Sequence, residues 1–355
     1  MFCSLRKIAI ITTSLALFTI YGCAGSDVSH YEIPPDWKTE QVRNETINKY
    51  AQVLRGKKVF LDPGHGGADR RSVGRLKLVT EADINLKVAL ALREYLEKAG
   101  VIVYMSRTKD ETVDLKERSY MANRSDADVF ISIHHNAPGK DEDGWINYTS
   151  TYYHAYETDY EFEPCQRDMA RYIQRDLSYV MDNPGGLGSF DGTYSDYHIY
   201  PKAGFSVLRI TKKPAVLIEG GFFTNNYEER RLAKEEYNRI QAWGIFRGLA
   251  KYFQAGIPQI VQLNSGAVLS EGNAQLQFAL SDKAGVNPKS VSVYVDSVET
   301  SFSYNEKDNI VTLSLNQLKA GEHSVRVICA NRNGNHSFPY SRQVVVMPAS
   351  ANRNQ

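Results

Sequence analysis

The sequence predicts an α/β domain on a mixed or mostly parallel sheet flanked by helices, followed by a smaller all-β sandwich of immunoglobulin-like type. Three observations carry that reading. Between residues 56 and 256, short apolar runs alternate with amphipathic helical stretches, the pattern of strands joined by crossover helices. At Gly256-Ile257-Pro258 the helical period stops, and only short alternating runs between turn clusters follow, to about residue 348. The chain has 355 residues, 42% hydrophobic and 23% charged, which suits about two globular domains.

The elements follow in chain order. Arg6 and Lys7 precede an apolar run, Ile8 to Ile20, and then Tyr21-Gly22-Cys23. A charged start, a short apolar core and a small residue before the cut describe a secretory signal; a bilayer span needs ~20 residues. Ile20-Tyr21-Gly22-Cys23 resembles the bacterial lipoprotein cleavage box, although Tyr21 is bulky for its position. Residues 1–22 are therefore expected as a signal peptide and Cys23 as the lipid-bearing residue. A plain signal peptide with a chance cysteine is the other reading. Residues 23–55 read as a tether, extended at Ile33-Pro34-Pro35, with a short helix over 36–54.

Lys58 to Leu61 is the first strand, ending at the turn Asp62-Pro63-Gly64. Ile84, Val88, Leu92, Tyr95 and Ala99 share one face of a helix over 82–99, which Gly100 stops. Val101 to Met105 is the next strand, 112–125 a helix, and Val129 to Ile133 a buried strand. A strand near 148–153 and a helix near 162–181 follow, then a long loop from Asn183 to Lys202. Ala215 to Ile218 is the last buried strand of this domain, and 226–254 is largely helical. In the second domain, strand-like runs recur at 275–280, 290–295, 310–315, 324–328 and 343–346. The tail 349–355 is expected to be disordered.

Charge and cysteine content exclude several classes. The chain carries 42 basic and 41 acidic side chains. Loss of Arg6 and Lys7 with the signal leaves a net charge of −1, which offers no field to a nucleic-acid backbone. Four cysteines are too few to build a disulfide scaffold. Cys3 would leave with the signal. Cys165 and Cys329 read as small buried hydrophobes, with a disulfide between them as the other reading.

Four segments carry chemistry, each at a strand end or a helix start. In Asp62-Pro63-Gly64-His65-Gly66-Gly67, glycines let the backbone turn tightly and leave the imidazole in open space. Glu81 follows Thr80, which with Asp83 resembles a capping box; a first-turn carboxylate is kept ionised by the helix dipole, as a metal ligand must be. His134 and His135 close the strand 129–133, and neighbouring strand side chains face opposite ways. One of them can face the cleft of His65; the other lines a wall or meets solvent. Glu219 ends the strand 215–218, where a carboxylate is costly to bury without a partner and is often catalytic, or else a buried ion pair. Two His and one Glu form a known catalytic zinc set with a fourth position open to water.

On these residues the chain resembles the zinc-dependent N-acetylmuramoyl-L-alanine amidases, bacterial cell-wall hydrolases of the AmiA/AmiB/AmiC and CwlC type. Asp62 to Gly67 with Gly74, Glu81 to Leu86, Leu115 to Arg118 through Asn123, Ser132 to Ala137, and Val216 to Phe222 with Asn225 match the family's segments in order. The match covers about residues 56–254. It implies one Zn²⁺ held by His65, Glu81 and His134, with Glu219 as general base. It implies cleavage of the amide between N-acetylmuramic acid and the L-alanine of the stem peptide. Asn85 and Asn136 are expected to orient ligands or substrate, and Arg118 to be structural. His135 stands where the family has a small residue; it would bond substrate or be a passive wall. Tyr152, Tyr153, Tyr194, Tyr197, His198 and Tyr200 would form a substrate groove or only cover the sheet.

The resemblance further implies peptidoglycan as substrate and an activator or divisome protein as partner. Some relatives carry an autoinhibitory segment, for which 185–202 is the place to look. Localisation is expected in a bacterial envelope, lipid-anchored and in an outer membrane facing the periplasm. Two rivals remain: another zinc peptidase or amidase of the cell wall, and a catalytically dead wall-binding lipoprotein.

Overall fold

The computed structural model describes residues 30–139, 143–183, 185, 191–264, 268–270, 275–315 and 318–348. The expected signal peptide, Cys23, the tail 349–355 and part of the 185–202 loop lie outside the described residues.

The first domain opens with helix α1 (Glu40–Leu54), β1 (Lys58–Pro63), α2 (Glu81–Lys98) and β2 (Ile102–Met105). Then come α3 (Leu115–Arg124), β3 (Val129–Asn136), β4 (Ser150–Tyr153), α4 (Pro164–Met181) and β5 (Thr193–Ser195). It closes with α5 (Ser206–Ile210), β6 (Ala215–Phe222), α6 (Asn226–Leu232) and α7 (Glu235–Gln254). The sheet runs β2-β1-β3-β6-β4-β5. β2, β1, β3 and β6 are parallel, and β4 turns antiparallel to β6.

Strand alternation assigns the two faces. Val59, Leu61, Ile131, Ile133, Val216 and Ile218 pack beneath α1, α2, α4 and α7. Phe60, Phe130, Ala215 and Leu217 point the other way, toward Ala122 of α3 and Val207 and Leu208 of α5. A sheet buried on both sides needs apolar residues at every position, which is why these strands read as continuous apolar runs.

The expected tether is different from residue 30 onward. Thr39 caps α1, whose Ile47, Tyr50, Ala51 and Leu54 are buried in the first domain's core. Trp37 is buried as well and donates to the Tyr95 hydroxyl at 2.9 Å. Apolar burial on this scale makes 30–54 part of the domain rather than a spacer. The expected long loop 183–202 contains β5, which pairs with β4 at the sheet edge.

The second domain contains β7 (Gln259–Gln262), β8 (Val268–Ser270), β9 (Gln275–Ser281), β10 (Val286–Val295) and β11 (Val298–Glu299). β12 (Ser303–Asn305), β13 (Ile310–Ser314), β14 (Gly321–Asn331) and β15 (Tyr340–Met347) complete it. Two sheets, β11-β10-β14-β15-β8 and β12-β13-β9-β7, face each other across an apolar core. Leu276, Phe278, Val311 and Leu313 supply one side; Val293, Val325, Val327, Cys329 and Val344 supply the other. Cys329 is free and buried, as is Cys165 in α4, so the buried-hydrophobe reading of both holds and the disulfide is not formed.

Candidate metal centre and active site

The site lies at the carboxyl ends of β1, β3 and β6. Thr80 caps α2: its Oγ1 accepts from Asp83 N at 3.3 Å and donates to Asp83 Oδ2 at 2.7 Å, so Asp83 meets the hydroxyl rather than the Thr80 amide that a full capping box engages. Glu81 is thereby the first residue of the helix, only 5% exposed, with its side chain against the strand ends. Its Oε1 lies 3.2 Å from His65 Nε2 and 3.1 Å from His134 Nδ1. One donor atom from each of the three residues falls within 4.8 Å of the others. Tetrahedral zinc with bonds of ~2.0–2.2 Å asks for ligand atoms about 3.3 Å apart, so this donor set fits that ion.

Burial pushes the Glu81 carboxyl up, but hydrogen bonds to His134 and His65 outweigh it and hold the group well below the usual carboxylate range. The hydrogen bond to Glu81 raises His65 to about 9, against the pull of burial. Both shifts have one cause, the close packing of a single carboxylate against two imidazoles.

The loop bearing His65 is bound by Arg118, whose structural role was expected, and by Asp69 and Arg107, which the sequence did not announce. His65 has a φ of 60°, a left-handed backbone that costs a non-glycine residue roughly 1–3 kcal/mol. Its carbonyl accepts from Arg118 at 2.9 Å, and its Nδ1 pairs with Asp69 Oδ2 at 2.7 Å, leaving Nε2 for the cluster. Arg118 also donates to Asp62 Oδ1 and to the Pro63 carbonyl, both at 2.8 Å, so the structural expectation for this residue is met. Buried Asp62 accepts further from Ser106 and Ser132. Arg107, 2% exposed, donates to the carbonyls of Pro63, Gly64 and Ala82. Gly64 is required by contact: a Cβ there would stand 2.1 Å from the His134 ring.

His134 and Glu219 are register partners on adjacent strands. They point to the α3 side, in phase with Ser132 and Leu217. Oε2 of Glu219 is shut from solvent and has no hydrogen-bond partner. Burial, and then the charge of Glu81, push this carboxyl well above its ordinary range. The ion-pair reading of Glu219 is thus replaced by an unpaired carboxylate beside the donor cluster.

His135 corrects both expectations made for it. It is in phase with Ile131 and Ile133 and enters the helical layer, 2% exposed. Nδ1 meets Asn85 Oδ1 and Nε2 meets Gln241 Oε1, each at 2.8 Å. Burial lowers its pKa to about 4, against the opposing pull of the bond to Gln241. It is neither a wall of the cleft nor a substrate contact. Asn85 is buried too, and its Nδ2 donates to the Gly64 carbonyl at 3.2 Å; it positions the His65 loop and does not reach substrate. Asn136 is half-buried, its Oδ1 accepting from Ala137 N. Tyr152, Tyr153, Tyr194 and Tyr197 are buried and cover the sheet; His198 and Tyr200 are exposed.

A family model described as N-acetylmuramoyl-L-alanine amidase matches residues 59–251. The germination-specific N-acetylmuramoyl-L-alanine amidase of Bacillus subtilis is 31% identical over 231 residues, 61% of this chain and 88% of that protein. The N-acetylmuramoyl-L-alanine amidase LytC of the same organism is 30% identical over 216 residues, 61% of this chain and 39% of its own. Among solved structures, an N-acetylmuramoyl-L-alanine amidase from Clostridium difficile 630 is 32% identical, with a TM-score of 0.48, covering 56% of this chain and 98% of that one. The CwlD amidase of Clostridioides difficile, solved in complex with the GerS lipoprotein, is 28% identical with a TM-score of 0.47, covering 56% and 99%.

Proposed function

Because the chain belongs to the N-acetylmuramoyl-L-alanine amidase family, we propose that His65, Glu81 and His134 hold one zinc ion and that Glu219 is the general base of a peptidoglycan amidase. The observation that supports this most directly is the unpaired Glu219 carboxyl, register-paired with one member of the donor cluster. Bound at the cluster, zinc would act as a Lewis acid toward water and the amide carbonyl.

The chain's own residues do the rest. No protein donor satisfies Glu219 Oε2, so the carboxyl keeps its affinity for a proton taken from the attacking water. Its raised pKa suits it to hold that proton and return it to the departing L-alanine nitrogen. Water adds to the lactyl carbonyl, the C–N bond breaks, and the products are a muramic acid carboxylate and a stem peptide with a free amino terminus. Asp69 fixes the His65 tautomer, and Arg107, Arg118 and Asn85 fix the loop that carries it.

We propose further that Cys23 carries lipid and holds the enzyme in a bacterial envelope, in an outer membrane facing the periplasm. The test of the activity is digestion of purified sacculi, following new L-alanine amino termini. Release should stop with a chelator and return with added zinc. Undiminished release after chelation, or new termini at another peptide position, would refute the reading.

A further inference from the structure

We propose that Trp145 is a stacking platform for the glycan strand of the substrate, on the rim of the cleft that holds Glu219. The proposal rests on the amidase reading and names the part of the substrate this rim takes. Trp145 is 78% exposed, whereas Trp37 and Trp243, the chain's other tryptophans, are buried. It lies in the segment entering β4, whose Ser150 pairs with Glu219. Nearby Tyr148 packs its ring on Phe222 of β6 at 4.6 Å, so this segment sits on the catalytic strand.

An exposed tryptophan on a loose loop would carry no argument; this one is on a bound loop. Asn225 Nδ2 donates to the carbonyls of Trp145 at 3.1 Å and Gly144 at 3.3 Å. The same side chain's Oδ1 caps α6 by accepting from Tyr227 N and Glu228 N. Asn147 donates to Glu228 Oε2 at 2.8 Å and accepts from Phe222 N at 3.1 Å. Glu229, fully buried, accepts from Leu76 N and Leu78 N and so holds the facing turn. Arg75 from that turn lies across Gly144, where a Cβ would meet its guanidinium at 2.3 Å. The first turn of α6 therefore binds both rim segments, and a platform whose backbone is held this way needs no loop ordering on binding.

The chemistry selects the glycan. A pyranose ring offers a face of C–H groups that packs on an indole, with hydroxyls at its edge for Arg75. The stem peptide is open-chain and rich in carboxylates, and would call for paired cations rather than a flat apolar ring.

The experiment uses the only exposed tryptophan as its own reporter. Glycan strands stripped of stem peptide are added to the full chain. Tryptophan emission should shift to the blue and acrylamide quenching should fall, and both responses should vanish in Trp145→Ala. On intact sacculi, Trp145→Ala should raise KM about five- to tenfold with kcat within about twofold, and Trp145→Tyr should restore most of the loss. Unchanged emission with glycan strands overturns the proposal. So does a response only to free stem peptide or to phosphatidylglycerol vesicles, or an unchanged KM in an active enzyme. If wild-type chain releases no L-alanine termini from sacculi, the amidase reading itself has failed, which is a separate result.

Discussion

At the carboxyl ends of β1, β3 and β6, ionisable side chains are buried or half-buried together: Asp62, Glu81, Arg107, Arg118 and Glu219, with His65, His134 and His135 among them. In the C-terminal sandwich the described buried polar residues are Asn331, Asn335 and Ser337, and its core is otherwise apolar. Asn331 and Asn333 donate to the Ala255 carbonyl, and Asn335 to those of Tyr252 and Gly256. These carbonyls close the C-terminal end of α7, where a helix leaves acceptors unpaired. Arg326 meets Glu163, and His336 meets Asp168 of α4, at the same junction. One region thus gathers buried charge at strand ends, while the other docks through buried neutral amides flanked by two ion pairs at the less buried margin. Buried charge left unpaired is expensive and reactive; buried amides with full hydrogen bonds are cheap and inert.

The strongest test of that contrast is Glu219→Gln. The substitution keeps shape and removes the proton acceptor. Turnover should fall about 10²–10⁴-fold while metal content stays unchanged. Near-normal turnover with full metal would show that Glu219 is a structural carboxyl like those of the junction. Next is Arg118→Ala, which strands Asp62 in the interior and frees the His65 carbonyl. Breaking a buried pair from one side costs about 3–5 kcal/mol, read as a lower urea midpoint. Arg118→Lys should recover only part, since an ammonium cannot span Asp62 and the carbonyls of Pro63 and His65 at once. Equal stability of Arg118→Ala and wild type would overturn the clamp.

These two residues also mark how far the sequence could be read. His65, Glu81, His134 and Glu219 were legible because a metal-ligand or acid side chain at the end of an apolar strand, or in a helix's first turn, is locally anomalous. The strand alternation that separates His134 from His135 was legible too. What filled the space behind β3 was not, because Gln241 lies 106 residues away and nothing local ties it to His135. Asp69 and Arg107 were missed for the same reason: a charged residue in a turn looks solvated until its partners are known. Ile33-Pro34-Pro35 signalled extended backbone, whereas the chain turns there, Trp37 N donating to the Pro34 carbonyl at 2.9 Å, and nothing local announces the docking of Trp37. Asn333 and Asn335 read as turn residues, and their capping of α7 exists only in the folded chain.

The docking half of the contrast is tested by Asn335→Ala. Two carbonyls at the end of α7 lose their donor, at an expected cost of about 1–3 kcal/mol. Calorimetry should show the sandwich melting separately from the catalytic domain, with turnover on small muropeptides unchanged at low temperature. A single unshifted transition would mean that the amides contribute nothing to coupling.

The smallest effect lies on the sandwich surface, at His323 and Asp296. Nδ1 of His323 pairs with Asp296 Oδ2 at 2.7 Å. The hydrogen bond raises the His323 pKa, while Asp296 is held below its usual range by the same bond against a modest burial. A histidine raised in the folded state contributes its full stability below the unfolded value of ~6.5 and loses it as pH climbs through the folded value. The aspartate's contribution is present above about 3.9 and is lost on acidification. The pair therefore helps most between those limits. Asp296 is 48% exposed, so solvent screening keeps the gain below about 1 kcal/mol. Urea midpoints of the wild type should drop slightly from pH 6 to pH 9, and His323→Asn should remove that drop. A drop that persists in His323→Asn would assign the pH sensitivity elsewhere. A loss several times larger would show that surface charge on the sandwich matters as much as the charge buried at the catalytic edge.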